Sequence, residues 1–389
     1  MMELSKPHHN VCLMDAIKRE LIRQRWGVIQ HQLMPELKHE LGSLSGKLEQ
    51  LIYTLEWVRI EEFVASSWCG LGRRPHQRAW LANAFVAKAL LGITRTAGLI
   101  EALTVDRALR RICGFSMCKK LASEATFSRA FEEFSDARLP ERVHAALIKT
   151  HLGDKLVGHW SRDGTAIVAR ERSQPRTAQQ PAASSPAAPA KAKQRGRPRR
   201  GVPVRPAAKP SPLARQREQT FSQIIGEIPR HCDRGTQCNA QGYKLSWNGY
   251  KLPIDTADCG VAIAALLSSA SMHDSRAAIP LSLLSADRVT NLYEVMDAAY
   301  CSSVLREHSV SLGHVPLIDH NPRGGVKLGF SPSEAIGYNE RTVAERSNAR
   351  LKDEFGGNAV MLKGATKVMS HLLFGLLCLS ADQLMRLRL

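Results

Sequence analysis

The sequence has 389 residues and carries 54 Lys and Arg against 36 Asp and Glu, a formal net charge of +18. With 44% hydrophobic and 23% charged residues, its composition excludes a disordered chain and fits a folded protein of two or three domains. The positive excess favours a polyanionic partner, either nucleic acid or an anionic membrane surface.

Nucleic acid is the expected partner, because the sequence gives little support for a membrane or for export. The longest apolar run covers the eight residues Leu372–Leu379, far short of the roughly 20 that span a bilayer. The first ten residues contain no apolar signal core. The nine cysteines form no CxxC pair, which suits a reducing compartment. We expect a cytoplasmic, nucleoid-associated protein.

The chain begins with two helical regions, 1–66 and 67–150. Apolar residues at helical spacing predict two amphipathic helices in the first region, one through Leu13, Ile17 and Leu21 and one through Leu48, Leu51, Leu55 and Val58. In the second region, residues 79–91 are apolar nearly all round, which predicts a buried helix.

Two short segments, 104–115 and 123–134, follow this buried helix. Thr104 and Ser123 are candidate N-caps. Two short helices with a brief link are typical of a helix-turn-helix, in which Arg129 on the second helix would contact DNA. A plain helical bundle is the alternative.

The remaining chain, 151–389, alternates strand and helix patterns. Strands are predicted over 155–168, 243–247, 250–255, 261–268, 291–297 and 314–319, and helices over 276–285, 300–307 and 334–354. Asn248-Gly249 predicts a hairpin between the second and third strands. The element order is that of a ribonuclease-H-like domain, a mixed sheet with flanking helices. The expected fold class is therefore α+β or α/β, preceded by an all-α region.

A basic segment interrupts this domain at 170–217. It holds 13 Lys and Arg, one acid and nine prolines, so it carries +12 of the total charge. Because it has few large apolar residues, we predict a disordered insert.

Three acids occupy positions where such a sheet would bring them together. Asp163 lies on the first predicted strand, Asp297 ends the strand after the first helix, and Glu345 lies on the last helix. Three close carboxylates repel one another unless cations neutralise them, which predicts Mg²⁺ or Mn²⁺. Two ions about 3.5–4 Å apart can support phosphodiester displacement. Each acid taken alone could equally be a solvated or capping carboxylate.

The last predicted helix carries a mixed stripe. On a continuous helix, Tyr338, Arg341, Glu345 and Lys352 would lie within about 60° of one another. A solvated face is one explanation. The other is that Glu345 holds metal, Arg341 and Lys352 neutralise phosphates, and Tyr338 stacks on a displaced base.

This Y-x2-R-x3-E-x6-K spacing resembles the motif of bacterial insertion-sequence DDE transposases of the YREK group. The sequences WSRDGTAI around Asp163 and HVPLIDHNPR before the helix also match. The resemblance implies that Asp163, Asp297 and Glu345 form the catalytic and metal-binding triad with two Mg²⁺ or Mn²⁺ ions. It further implies cleavage at transposon ends and strand transfer into target DNA by a homodimer. Because transposition needs two ends held together, the helices around Leu48–Val58 in region 1–66 are the expected surface for self-association.

Two features depart from some relatives. Only 47 residues separate Asp297 from Glu345, so a large β-rich insertion between them should be absent. The insert at 170–217 contains Arg195-Gly196-Arg197-Pro198, similar to an AT-hook core, in which Arg195 and Arg197 would follow a narrow minor groove. A nonspecific basic linker is the alternative.

Other assignments stay open. His273-Asp274 either lines the rim of the site or caps the next helix, and the loop residues His320, Asn321 and Arg323 are candidates for DNA contact. A nuclease that cleaves without joining, or a non-catalytic DNA-binding protein derived from a transposase, are the rival functions.

Overall fold

A computed structural model describes residues 31–32, 34–64, 76–173, 210–238, 242–322 and 325–387. The chain divides into two compact units, Met1–Val143 and His144–Leu389. The regions predicted separately as 1–66 and 67–150 therefore share one unit up to Val143. The predicted stripe of Leu13, Ile17 and Leu21 lies outside the described residues.

The described part of the first unit is helical. Its helices are α1 (Met34–Leu41), α2 (Gly46–Val58), a 3₁₀ turn (Ile60–Phe63), α3 (Arg78–Leu90), α4 (Thr96–Val105), α5 (Arg107–Ile112), α6 (Glu124–Asp136) and α7 (Leu139–Leu152), the last of which contains the boundary between the units.

The apolar stripe of α2 is used inside this unit. Leu48, Leu51, Leu55 and Val58 are all buried. Because these side chains already pack within the unit, the stripe is not an exposed surface for self-association. The possible self-association surface predicted for 1–66 therefore does not lie on this stripe.

Helix α3 forms the centre of the unit, as its all-round apolar character predicts. The ring of Phe85 packs against Phe127, Phe131 and Phe134 of α6, with centroids 4.9–6.2 Å apart. Lys88 is a charged residue of this helix that is nevertheless buried, with only 6% of its surface exposed.

The two short helices differ from their predicted boundaries. Thr104 lies inside α4, and Asp106 is the N-cap of α5, where its carboxylate accepts a hydrogen bond from the Leu109 amide at 2.9 Å. Ser123 is the N-cap of α6, as predicted. Residues 113–123 separate α5 from α6, and this link is longer than the three or four residues of a helix-turn-helix turn.

The second unit contains a seven-stranded mixed sheet. Its elements are β1 (Leu156–Val168), α8 (Pro212–Gln216), α9 (Phe221–Glu227), β2 (Asp233–Cys238), β3 (Lys244–Ala257), β4 (Ala262–Ala265), β5 (Ser268–Ser269), α10 (Ala278–Ala286), β6 (Thr290–Met296), α11 (Ser303–Ser311), β7 (Val315–Ile318), α12 (Pro332–Asn339), α13 (Thr342–Asp353) and α14 (Ala365–Arg386). Two further 3₁₀ turns cover Asp274–Ala277 and Ala298–Tyr300.

The sheet follows the order β2-β3-β1-β6-β7, with β4 and β5 also paired to β3. Strand β1 runs antiparallel to β3 and parallel to β6, and β6 runs parallel to β7. The predicted fold class, a mixed sheet with flanking helices after an all-α region, is confirmed. The arrangement is consistent with a ribonuclease-H-like domain.

The prediction of a hairpin at Asn248-Gly249 is wrong. Strand β3 continues straight through this dipeptide, and its antiparallel neighbour β2 precedes it in the chain. Gly249 is required for a different reason: it has a φ of 154°, and a Cβ there would lie 2.0 Å from the Ile167 carbonyl oxygen of β1. The glycine therefore allows close strand pairing rather than a turn.

Helices cover both faces of the sheet. On one face Arg162 of β1 contacts Ala278 and Ser282 of α10, and on the other Asp163 contacts Asn348 of α13. This follows from the alternation of side chains along a strand. The single helix predicted over 334–354 is two helices, since a turn at residues 340–341 separates α12 from α13.

The margins of the predicted insert are folded. Glu171 accepts hydrogen bonds from the Tyr250 hydroxyl and, at 3.1 Å, from the Gly364 amide, while 212–216 form α8. The boundaries 170–217 are therefore too wide as limits of a disordered segment. Residues 174–209, which include Arg195 and Arg197, lie outside the described part of the chain.

Within the described residues, α14 is the one helix long and apolar enough to cross a membrane. Most of its apolar window, 89%, is buried inside the protein. This burial matches a core helix, and it includes the whole run Leu372–Leu379.

Candidate active site

Two aspartates lie side by side at one end of the parallel strand pair β1 and β6. Arg162 of β1 is in register with Met296 of β6, and the residue that follows each of them is an aspartate. Asp163 and Asp297 are therefore at the same level of neighbouring parallel strands. The predicted adjacency of these two acids follows directly from this register.

A buried ion pair anchors β1 immediately beside Asp163. The Arg162 guanidinium donates to both carboxylate oxygens of Asp255 on β3, at 2.7 and 2.8 Å. It also donates to Ser282 and to the Ala278 carbonyl of α10, at 3.0 and 3.1 Å. With each charge paired and hydrogen-bonded, removal of one partner is expected to cost several kcal/mol, about 3–5. The pair therefore fixes the strand that carries Asp163.

Asp163 is held by two side chains from α13 and its N-cap. Its Oδ2 accepts a hydrogen bond from Asn348 Nδ2 at 2.8 Å, and its Oδ1 lies 3.8 Å from Arg341 Nη1. Withdrawal from water raises the pKa of Asp163 to about 6, since repulsion from Asp297 and Glu345 adds to the burial while Arg341 and Asn348 oppose it. The charges of Asp297 and Glu345 therefore both act on the Asp163 carboxyl.

Asp297 follows β6 and begins a 3₁₀ turn. Its Oδ1 accepts the Ala299 amide at 3.0 Å. Burial raises the pKa of Asp297, the Ala299 amide lowers it, and the charge of Asp274 raises it further. Asp297 thus caps the 3₁₀ turn, and its carboxylate also interacts with the charge of Asp274.

Arg341 bridges the acids of the two segments. Its Nη2 contacts the Glu345 carboxylate one turn further along, and its Nη1 faces Asp163. Burial lowers the pKa of Arg341, but Glu345, Asp163 and Asp297 raise it more, so the guanidinium stays charged. The cation therefore lies among the three carboxylates.

The other two residues of the predicted stripe remain near this group despite the break in the helix. Burial lowers the pKa of Lys352 and the charge of Asp163 opposes that change, which indicates that the ammonium is near this carboxylate. The Tyr338 ring packs against Phe330 with centroids 4.7 Å apart. Tyr338 is partly buried.

Sequence reasoning missed Asn348 and Lys251. Asn348 lies three residues after Glu345, and this helical spacing is a signal that could have identified it. Lys251 of β3 donates to Asp274 at 2.9 Å, and Asp274 lies over Gly164, where a Cβ would be 3.5 Å from its Oδ1. Nothing local in the sequence of β3 indicates that Lys251 points here.

Two histidines in loops near the site accept hydrogen bonds from backbone amides. His273 is the N-cap of the Asp274–Ala277 turn, where its Nδ1 accepts the Ser275 amide at 3.3 Å, while Asp274 faces the site. His320 Nδ1 accepts the Leu328 amide at 3.1 Å and so fixes the loop after β7. Arg323 lies outside the described residues.

The candidate DNA-binding residue Arg129 is exposed on α6, opposite the buried phenylalanines. Its Nε donates to the Ala125 carbonyl of the same helix at 3.3 Å. The guanidinium is accessible, which is compatible with a phosphate contact and with a solvated helix face.

The three carboxylates are chemically suitable ligands for a divalent cation. Their side chains are not arranged as a metal-binding cluster. Asp163, Asp297 and Glu345 present hard carboxylate oxygens, which Mg²⁺ and Mn²⁺ prefer. Among the described residues, no group of three or more His, Cys, Asp or Glu side chains is arranged to hold a metal ion. The Arg341 guanidinium instead supplies the positive charge among these acids.

Comparison with known proteins bears on the first unit. Residues 35–133 match the family described as Transposase domain (DUF772). Neither the curated proteins nor the solved structures contain a match to the chain. The matched segment spans α1 to most of α6 and leaves the sheet unit uncovered. Within the helical unit, this segment is therefore similar to a transposase domain, which suggests a transposase-related function with DNA as the partner.

Proposed function

We propose that this protein is a DDE transposase that cleaves DNA at transposon ends and joins the released 3′-OH to target DNA. The observation that carries the proposal is that Asp163 on β1 lies level with Asp297, the residue after β6, while Arg341 contacts both Asp163 and Glu345. The transposase-domain match in the other unit supports the same class of function.

In this proposal Asp163, Asp297 and Glu345 would hold Mg²⁺ or Mn²⁺, in the two-ion arrangement of phosphodiester chemistry. The bound cations would supply Lewis-acid stabilisation of the charge that develops on the attacking and leaving oxygens. The chain itself positions and neutralises the DNA. Arg341 and Lys352 would bind backbone phosphates, and Tyr338 would contact a base near the cut. Partners are double-stranded terminal inverted repeats and target DNA, bound by a homodimer.

The test is end cleavage and strand transfer with Asp163→Asn, Asp297→Asn and Glu345→Gln in Mg²⁺. Each amide keeps the size of the side chain and removes the charge that would hold a cation, so we expect a loss of at least about 10³-fold. Asp353→Asn, an exposed acid at the end of the same helix, is the matched control and should keep activity. Near-normal activity in any of the three variants would refute the triad assignment.

The rival functions give different results in the same assay. A nuclease that does not join would cleave ends but fail to transfer pre-cut 3′-OH ends. A non-catalytic DNA-binding protein would bind ends with the same affinity in the unmodified chain and in all four variants. None of these five proteins would cleave DNA.

A further inference from the structure

Asn348 is a buried amide whose two polar atoms have unequal partners. It is 6% exposed. Its Nδ2 donates to Asp163 at 2.8 Å, whereas its Oδ1 is buried and accepts no hydrogen bond among the described residues. The carboxylate fixes this orientation, because a flipped amide would place one acceptor oxygen against another.

Asn348 is therefore a poor choice for stability alone. The hydrogen bond to a charged group stabilises the fold, and the unpaired buried acceptor destabilises it by a comparable amount. An apolar residue would fill the same position on α13 without the unpaired oxygen, as its neighbours Ala344 and Leu351 do on the buried side of that helix.

The amide has a directional effect on the carboxylate. It takes Oδ2 of Asp163, so that Oδ1 is the oxygen on the side of Arg341, which also contacts Glu345. Rotation of the carboxylate would break a bond between a buried donor and a charged acceptor. Asn348 thus fixes the rotation of the Asp163 carboxylate, with one oxygen bonded to the amide and the other on the side of Arg341.

We propose that Asn348 is a positioning residue that orients the Asp163 carboxylate for divalent cation binding. The inference rests on the proposed function, because it takes Asp163 as a cation ligand. It adds a residue that acts through Asp163 and contacts no reacting atom. Partners of this kind, which orient a metal ligand, typically contribute 10- to 100-fold in metal affinity.

The test measures Mn²⁺ affinity of the full chain without DNA, by electron paramagnetic resonance, for Asn348→Ala, Asp163→Asn and the double variant. We expect Asn348→Ala to weaken Mn²⁺ binding at least about tenfold. In the Asp163→Asn background the same change should have no further effect, because the residue acts only through that carboxylate. The melting temperature should fall no further than in Ser347→Ala, an equally buried neighbour on α13 whose Oγ donates to the Gly260 carbonyl.

Each outcome is decisive. Equal losses of affinity in Asn348→Ala and Ser347→Ala, or additive losses in the double variant, would overturn the positioning role. If Asn348→Ala does not fold, Asn348→Gln keeps the buried amide but displaces it by one methylene, and unchanged Mn²⁺ affinity in that variant would also overturn it. Unchanged affinity in Asp163→Asn would instead contradict the proposed function itself.

Discussion

At the scale of single residues, the buried charges of the described residues differ in whether a partner of opposite charge accompanies them. Arg162 and Asp255 are almost fully buried and bonded to each other. Asp163 is partly buried and contacts Arg341 and Asn348. Lys88 differs, since burial alone shifts its pKa and no charged partner contributes to that shift.

Lys88 leads to a prediction about stability and pH. Burial lowers the pKa of Lys88 from 10.5 to about 8. The unfolded chain therefore binds more protons between these values, so this lysine makes stability rise with pH across that window and lowers it most below pH 8. A shift of this size corresponds to about 3 kcal/mol. Lys88→Met should raise the free energy of unfolding at pH 7 by about 2–3 kcal/mol.

Urea unfolding of Lys88→Met and of the unmodified chain at pH 7 and pH 10 measures this effect. The difference between the two should shrink as the pH rises. Lys119→Met, at an exposed position, is the control and should show no pH-dependent difference. A Lys88→Met variant that is less stable at pH 7 would show that the ammonium has a stabilising role.

At the scale of elements, a sequence-based prediction was correct where the local pattern and the tertiary packing favoured the same structure. The apolar pattern of α3 predicts a buried helix, and the phenylalanines of α6 pack on it. Asn248-Gly249 is a strong turn signal, yet it lies in the middle of β3. The close approach of β1 is a long-range contact, which no local pattern contains.

Gly249→Ala tests this account of β3. The added Cβ would lie 2.0 Å from the Ile167 carbonyl oxygen, and the residue already has a φ of 154°. The pairing of β1 with β3 must shift, so we expect a loss of more than about 2 kcal/mol in the free energy of unfolding. Because Asp163 lies on β1, the proposed cleavage activity should fall as well.

The matched control is Gly226→Ala on α9, where a Cβ meets nothing within 4 Å. That change should be neutral or slightly stabilising, because it reduces the freedom of the unfolded chain. If Gly249 were a turn residue instead, Gly249→Asn would be tolerated. Denaturant unfolding of the three variants distinguishes the two explanations.

At the scale of the whole molecule, the net charge is unevenly distributed. The segment 170–217 carries +12 of the total +18, which leaves the rest of the chain mildly basic. Because the margins of this segment are folded, the relevant part is 174–209, with nine Lys and Arg and no acid. We expect these residues to provide most of the nonspecific, salt-dependent affinity for DNA.

Replacement of the nine Lys and Arg in 174–209 by Gln keeps the length of the segment and removes its charge. The slope of log K against log salt for nonspecific DNA should become less negative by roughly 0.9 for each residue that contacts a phosphate. Fluorescence anisotropy between about 50 and 200 mM salt measures this slope. Mn²⁺ binding at Asp163 serves as the control and should not change. An unchanged slope would assign nonspecific binding to the folded units.

From the sequence alone, the buried helix α3, the strand patterns of β1 and β6 and the candidate acids Asp163, Asp297 and Glu345 could be identified. Periodicity reports burial, so the buried helix, the strand that carries Asp163 and the strand that ends just before Asp297 could be predicted. The tertiary structure decided what depends on contacts distant in the chain. It placed Asp274 over Gly164 with Lys251 bonded to that carboxylate, and it made Gly249 a strand residue. It also broke the helix predicted over 334–354 at residues 340–341 and put Asn348 on Asp163. Such contacts depend on strand order and register, which local patterns do not contain.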